Sequence, residues 1–146
     1  MRRLLQRPAA NAVFLCLFTA FYFVVFLTIS QENQPDGVRE DFWGRWCSFL
    51  AGGGQRGIAF ALLAVTVVTV VLLLLRRQPY DEYHLSQLLT CFTVALALTL
   101  VAIAVFFLLI VLQPTAVVEK CFLFAALHWG TVVCADFVYV LMFQRR

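Results

Sequence analysis

The sequence predicts an all-α membrane protein, a bundle of four transmembrane helices, and three observations lead to this prediction. Apolar residues make up 63% of the 146 residues and the mean hydropathy is +0.90, whereas apolar residues form about half of an ordinary soluble domain. A domain of this size leaves much of its surface outside any core, so the apolar excess needs lipid around it. The apolar residues are also gathered into four long runs. Residues 1–146 are therefore expected to form a single multi-pass membrane domain.

Each of the four runs has about the length of a transmembrane helix, for which roughly 20 apolar residues are needed. The runs are residues 9–29, 57–75, 88–112 and 121–143. The loops predicted between them are residues 30–56, 76–87 and 113–120. All the prolines lie outside the runs, at Pro8, Pro35, Pro79 and Pro114. Unbroken helices are therefore expected.

The first run follows three arginines, as the apolar region of a secretory signal peptide does. It is longer than the roughly 7–15 residues of such a region, and no A-x-A cleavage site follows it. We therefore expect it to remain as the first transmembrane helix. A mitochondrial presequence is disfavoured because the basic segment is short and lacks serines. The predicted location is a secretory-pathway or plasma membrane, rather than a mitochondrial one.

Basic residues predict the orientation in the membrane. With four spans, one side carries both termini and the loop 76–87. That side has seven Lys or Arg residues: Arg2, Arg3, Arg7, Arg76, Arg77, Arg145 and Arg146. The other side has four: Arg39, Arg45, Arg56 and Lys120. The positive-inside rule then predicts that both termini are cytoplasmic and that loops 30–56 and 113–120 are outer loops.

A short amphipathic helix is predicted in the first outer loop. Apolar residues recur there at helical spacing from Val38 to Leu50, with charged residues between them. Its aromatic residues suit the boundary between hydrocarbon and water. The interfacial residues proposed on this basis are Phe42, Trp43, Trp46 and Phe49.

The segment Trp43-Gly44-Arg45-Trp46-Cys47 loosely resembles the G-L-W-x-x-C signature in the first outer loop of claudin-like tetraspan proteins, which also have cytoplasmic termini. It departs from that signature because Arg45 replaces Leu, Cys47 follows Trp46 directly and the loop has no second Cys. A claudin-type loop would also be longer and rich in strands. We therefore do not assign the chain to this family.

Two of the five cysteines lie on the predicted outer side, Cys47 in the loop and Cys121 at the start of the fourth run. An oxidising compartment would allow a disulfide between them. Such a bridge would fasten the loop to the bundle and contribute about 2–4 kcal/mol. The alternative, which the sequence leaves open, is two free cysteines.

The last run contains the most unusual residues, because Asp136 is the only acidic side chain within any run and His128 lies two turns earlier. An intramembrane carboxyl group needs a partner or a proton. Arg76 and Tyr139 are candidate partners. At the same depth on the other runs lie further polar residues: Asn11, Cys16, Thr19, Thr69, Thr90 and Thr93. Asp136 is interpreted as a packing element, protonated or paired with Arg76, or as an assembly contact, with a proton or ion pathway as the alternative.

The sequence shows no nucleophile–base pair, metal-ligand cluster, cofactor motif or dense basic patch. We therefore expect no enzyme activity, no cofactor or metal, and no nucleic-acid partner. The predicted function is that of an accessory or scaffold subunit whose partners are the lipid bilayer and other membrane proteins or further copies of itself. The alternative is a small channel or transporter component in which Asp136 responds to protons or cations.

Overall fold

The computed structural model describes residues 7–28, 42–75, 82–114 and 117–143. These residues are almost entirely helical and contain no strand. The helices are α1 (Pro8–Thr28), α2 (Phe42–Phe49), α3 (Gln55–Leu75), α4 (Glu82–Leu112) and α5 (Val117–Phe143). Four segments, α1, α2–α3, α4 and α5, are long and apolar enough to cross a membrane. The prediction of an all-α protein with four helices of membrane length is confirmed.

Two of the helices begin well before the approximate spans predicted from the apolar runs. Helix α4 begins at Glu82, within the predicted loop 76–87, and α5 begins at Val117, within the predicted loop 113–120. The predicted limits marked where apolar residues begin, but a helix continues through polar residues that suit its first turn. Glu82 and Glu119 lie in the first turns of α4 and α5, where a carboxylate interacts favourably with the helix dipole.

The helices α1, α3 and α5 pack against one another, whereas α4 packs mainly on α5. Consecutive long helices run in opposite directions, which gives the bundle two distinct ends. The end with residues 28, 55, 112 and 117 is called the loop end, and the end with residues 8, 75, 82 and 143 the termini end. One apolar cluster around Phe26, Phe122 and Trp129 lies between the loop end and the middle. A second, around Leu73 and Tyr139, lies at the termini end.

Helix α4 therefore lies beside a three-helix core and hardly any of its membrane-length segment is buried. Its contact face includes two small side chains, Ala95 and Thr99, which are buried. Small residues allow helix backbones to approach closely in a membrane. Thr93 and Ala97, which have the same spacing, lie on the exposed face of α4.

A kinked turn, Leu50–Gly54, joins α2 to α3. Gly53 has φ of 96°, a left-handed value that a residue with a β-carbon rarely adopts. Helix α2 crosses the first turn of α5, because its side chains Trp43, Trp46 and Cys47 all reach Glu119 or Lys120. The glycine joint thus lets the chain turn from α2 over the end of α5 into α3.

Candidate functional site: the polar interior of the bundle

Asp136 lies between helices at the termini end and only 1% of its surface is exposed. The Asn11 side chain of α1 donates a hydrogen bond from Nδ2 to Asp136 Oδ1 at 3.2 Å. The other carboxyl oxygen, Oδ2, is buried and has no hydrogen-bond partner among the described residues. Cys91 of α4 lies near enough to interact electrostatically with this carboxyl group. Asp136 is therefore a buried, incompletely hydrogen-bonded group that joins α1 to α5.

Tyr139 and Arg76 were also predicted to lie next to Asp136, and the outcomes of these two predictions differ. Tyr139 is buried in the termini-end cluster, beside Ala12, Leu73 and Leu88. Arg76 lies outside the described residues, so its predicted pairing with Asp136 stays a prediction.

His128 lies in an aromatic cluster near the middle of the bundle. Its Nδ1 atom is hydrogen-bonded to the Tyr22 hydroxyl group of α1. The Phe18 ring meets the imidazole edge to face at 5.6 Å, and the Phe124 ring stacks on it at 6.0 Å between centroids. His128 thus has its own partner on α1 and forms a site separate from the Asp136–Asn11 pair.

A second set of polar groups in the middle of the bundle links α1, α3 and α5. The Trp129 indole donates from Nε1 to Thr19 Oγ1 at 3.3 Å, and Thr19 Oγ1 lies 3.1 Å from Thr66 Oγ1. All three side chains are buried. Because hydrocarbon offers polar groups no partners, this network ties the three helices in one arrangement.

Lys120 is a buried residue whose role the sequence analysis missed, since it was counted only as a loop charge. It is 1% exposed. Its Nζ atom donates to the backbone oxygen of Leu109 at 3.0 Å and to that of Gln113. Nζ also lies 5.2 Å from the centroid of the Trp43 ring, a distance suited to a cation–π interaction. The last carbonyls of a helix are not all paired within it, and Lys120 donates to two of those at the end of α4. The Leu109 oxygen also accepts the backbone N–H of Gln113 at 3.1 Å, so Lys120 is its second donor.

Gln55 likewise donates a hydrogen bond to a backbone carbonyl near the end of α1. It is buried, and its Nε2 atom donates to the backbone oxygen of Phe26 near the C-terminal end of α1. In both cases a polar residue near the start of one helix caps the end of the preceding long helix. The detectable signal is a polar residue in the first turn of a membrane-length helix. The first turn of α3 holds Gln55 and Arg56, and that of α5 holds Glu119 and Lys120.

The predicted disulfide between Cys47 and Cys121 is not supported, because all five cysteines are free. The Cys47 side chain is hydrogen-bonded to that of Glu119 instead. Glu119 and Cys121 are two residues apart on a helix, which separates their side chains by about 200° around its axis. The face of α5 that α2 covers therefore presents Glu119 to Cys47 and directs Cys121 elsewhere.

The four aromatic residues predicted to lie at the membrane boundary divide into two pairs. Trp43 packs over Lys120, and Trp46 donates from Nε1 to the Glu119 backbone oxygen at 3.1 Å. Phe42 and Phe49 are instead 55% and 50% exposed. The tryptophans attach α2 to α5, and the phenylalanines lie on its free face.

No cluster of three or more His, Cys, Asp or Glu side chains that could hold a metal ion occurs within the described ranges. A comparison of the chain with protein-family models, curated proteins and solved structures finds no match. The bundle's buried polar contacts are thus the features from which a function can be argued.

Proposed function

We propose that this protein is a small multi-pass accessory or scaffold protein that assembles in the membrane with other membrane proteins or with further copies of itself. The observation that carries the proposal is the position of α4. This helix packs mainly on α5, and only 6% of its membrane-length segment is buried, against 22% for each of the other three segments. We infer that the exposed side of α4 receives a neighbouring transmembrane helix.

The seam between α4 and α5 supports this proposal. An open groove of about 590 Å³ runs along it. Thr90 and Thr131 line the groove, but their hydroxyl groups donate to backbone oxygens of their own helices. The remaining lining is apolar or small: Cys91, Val94, Ala95, Leu98, Ala126, Leu127, Gly130, Cys134, Ala135 and Val138. A surface of this composition suits helix packing, in which small residues permit close approach.

We further propose that both termini are cytoplasmic and that α2 lies at the outer boundary of a secretory-pathway or plasma membrane. The distribution of Lys and Arg supports this orientation. The exposed Phe42 and Phe49 would then meet the lipid boundary, with Arg45 between them near the phosphate groups. We propose no enzymatic activity, because most of the polar groups described above form hydrogen bonds between helices.

Photo-crosslinking in native membranes tests the assembly proposal. A photoreactive amino acid at Leu98 or Leu108, both exposed on α4, should form discrete protein adducts. The same residue at Leu17 or Phe21, equally exposed on α1, is the matched control and should react mainly with lipid. Identical adduct patterns on α1 and α4 would contradict the assignment of α4 as the contact surface.

A channel or transporter component is the second candidate, and the unpartnered Oδ2 atom of Asp136 is the observation in its favour. Polar atoms of this kind inside membrane proteins often belong to ion or proton pathways. Purified protein in liposomes should then conduct protons or cations, and Asp136→Asn should abolish the flux while the protein still folds. Absence of flux with the unmodified protein would remove this candidate.

A further inference from the structure

The charges around Asp136 are the starting point, because a carboxylate within hydrocarbon needs a cation or several hydrogen-bond donors. Three of the four described basic residues, Arg45, Arg56 and Lys120, lie at the loop end. The fourth, Arg7, precedes α1 at the termini end and is exposed. In the described part of the chain, a single amide donor therefore contacts the Asp136 carboxyl group.

Within the described ranges, the titratable groups near this carboxyl belong to two helices. Helix α4 contributes Cys91, and α5 itself contributes Tyr139 one turn further along. Helix α3 has no titratable residue at the termini end, and its buried Thr69 donates to the Val65 backbone oxygen at 2.8 Å. Glu82, Tyr83 and His84 lie further towards the termini end, in the first turn of α4. Of these neighbours only His84 can carry a positive charge, and it lies further towards the termini end than Asp136.

We propose that Asp136 is a proton-binding site, and that a neutral carboxylic acid hydrogen-bonded to Asn11 joins α1 to α5 at neutral pH. The acid form matches the observed contacts better than the carboxylate does. Its Oδ1 atom accepts the Asn11 hydrogen bond as a carbonyl oxygen would, and its Oδ2 atom carries the proton. One neutral hydrogen bond is far less than the interaction that a buried carboxylate requires.

Release of the proton would leave a charge between α1 and α5 with one donor to stabilise it. The contact between these helices would then weaken, and water or a cation would be drawn to the carboxylate. The proton thus acts as a bound ligand that maintains the helix packing at the termini end. This inference concerns the ground state of Asp136 and does not depend on whether α4 binds a partner.

Infrared spectroscopy of the full-length protein in lipid nanodiscs tests the proposal directly. The chain has four aspartates, Asp36, Asp41, Asp81 and Asp136, of which the first three lie in polar segments of the sequence. Aspartate in water is ionised at neutral pH. Protein labelled with ¹³C-aspartate should therefore show the carbonyl stretch of one protonated carboxylic acid at pH 7, shifted by the isotope. The Asp136→Asn variant should lack this band.

A labelled protein at pH 7 that shows only carboxylate bands would overturn the proposal, whether or not Asp136→Asn folds. A protonated band that persists in Asp136→Asn would also overturn it, because another aspartate would then hold the proton. Failure of the crosslinking assay on α4 leaves these spectra unaffected. The two proposals therefore succeed or fail separately.

Discussion

Among the described residues, each end of the bundle buries one side chain of the Asp, Glu, Lys or Arg type, and the two ends accommodate it in opposite ways. At the loop end, the Lys120 ammonium group meets two backbone carbonyls at the end of α4 and the face of Trp43. At the termini end, the Asp136 carboxyl group meets the single amide of Asn11. The negative end of the α4 dipole and the carbonyls there interact favourably with a cation at the position of Lys120. Asp136 has no comparable set of donors among the described residues.

The difference indicates that burial alone does not determine which contacts surround an acidic or basic side chain in this fold. A helix end provides several aligned backbone groups at no additional cost, and Lys120 uses them. Asp136 lies seven residues before the last residue of α5, about 10 Å from the helix end. At that position the backbone N–H groups of α5 are hydrogen-bonded within the helix, so none is available to the carboxyl group. The comparison leads to four predictions, in decreasing order of expected effect.

Replacing Lys120 with Met should have the largest effect. It removes a charged donor from the backbone oxygens of Leu109 and Gln113, of which the first keeps the Gln113 N–H as a partner. Hydrogen bonds to charged groups contribute about 1.5–3 kcal/mol each. We expect the free energy of unfolding to fall by about 2–4 kcal/mol, measured by steric trapping or denaturant titration in bicelles. Lys120→Arg keeps the donors and should lose less.

The matched control for Lys120 is Arg56→Met, since Arg56 is an exposed cation in the first turn of α3. Its replacement should change stability by less than about 0.5 kcal/mol. Equal losses for the two variants would show that Lys120 does not cap α4, and would remove the contrast between the two ends.

Substitutions of Asp136 should separate a neutral carboxyl group from a charged one. Asp136→Asn retains the shape and an acceptor for Asn11, so we expect a loss below about 1 kcal/mol. Asp136→Leu leaves the partly buried Asn11 amide without its acceptor, and should cost about 1–3 kcal/mol. Thermal unfolding of both variants in the same lipid, together with an Asn11→Leu double-mutant cycle, checks this. Equal losses for the two variants would show that a neutral acceptor cannot replace the Asp136 carboxyl group, which would contradict the neutral form.

The sequence was sufficient to predict the helical class, the four long segments and the unusual character of Asp136. Apolar run length determines these features, and it can be read without knowledge of packing. Asn11 was among the possible partners of Asp136, because depth along antiparallel helices restricts which residues can meet. Choosing among the candidates requires knowing how each helix is rotated about its own axis. A helix that is apolar on all sides has no polar face in its sequence from which this rotation could be predicted.

The contacts at the loop end could not be predicted for a related reason. The role of Lys120 depends on where α4 ends relative to α5, which is a property of the interhelical turn. Whether Cys47 and Cys121 are bridged was left open by the sequence for the same reason. Residues that share a depth need not share a face, and the start of α5 at Val117 places Glu119, rather than Cys121, against α2.

The network in the middle of the bundle should give an intermediate effect and sharpen the contrast between the ends. Thr19→Val removes the acceptor of Trp129 and the partner of Thr66 without changing the side-chain shape. Hydrogen bonds between transmembrane helices contribute about 0.6 kcal/mol on average and up to about 1.7 kcal/mol, so a loss of about 1–2 kcal/mol is expected. Thr93→Val, on the exposed face of α4, is the control and should be neutral. Both variants replace a hydroxyl group by a methyl group. If Thr93→Val lowered the free energy of unfolding as much as Thr19→Val, the loss would come from this replacement itself and not from the hydrogen-bond network.

The smallest effect is expected for the cysteines at the loop end, where noncovalent contacts already hold α2. Cys47 and Cys121 should both be alkylated under denaturing, non-reducing conditions and identified by mass spectrometry. Cys121→Ser, which breaks no bridge, should change the free energy of unfolding by less than about 1 kcal/mol. A disulfide would instead protect both thiols, and its loss would cost about 2–4 kcal/mol. Protection of the two thiols would mean that a covalent bond attaches α2 to α5. That bond, rather than the contacts of Lys120, Trp43 and Glu119, would then hold α2 in place at the loop end.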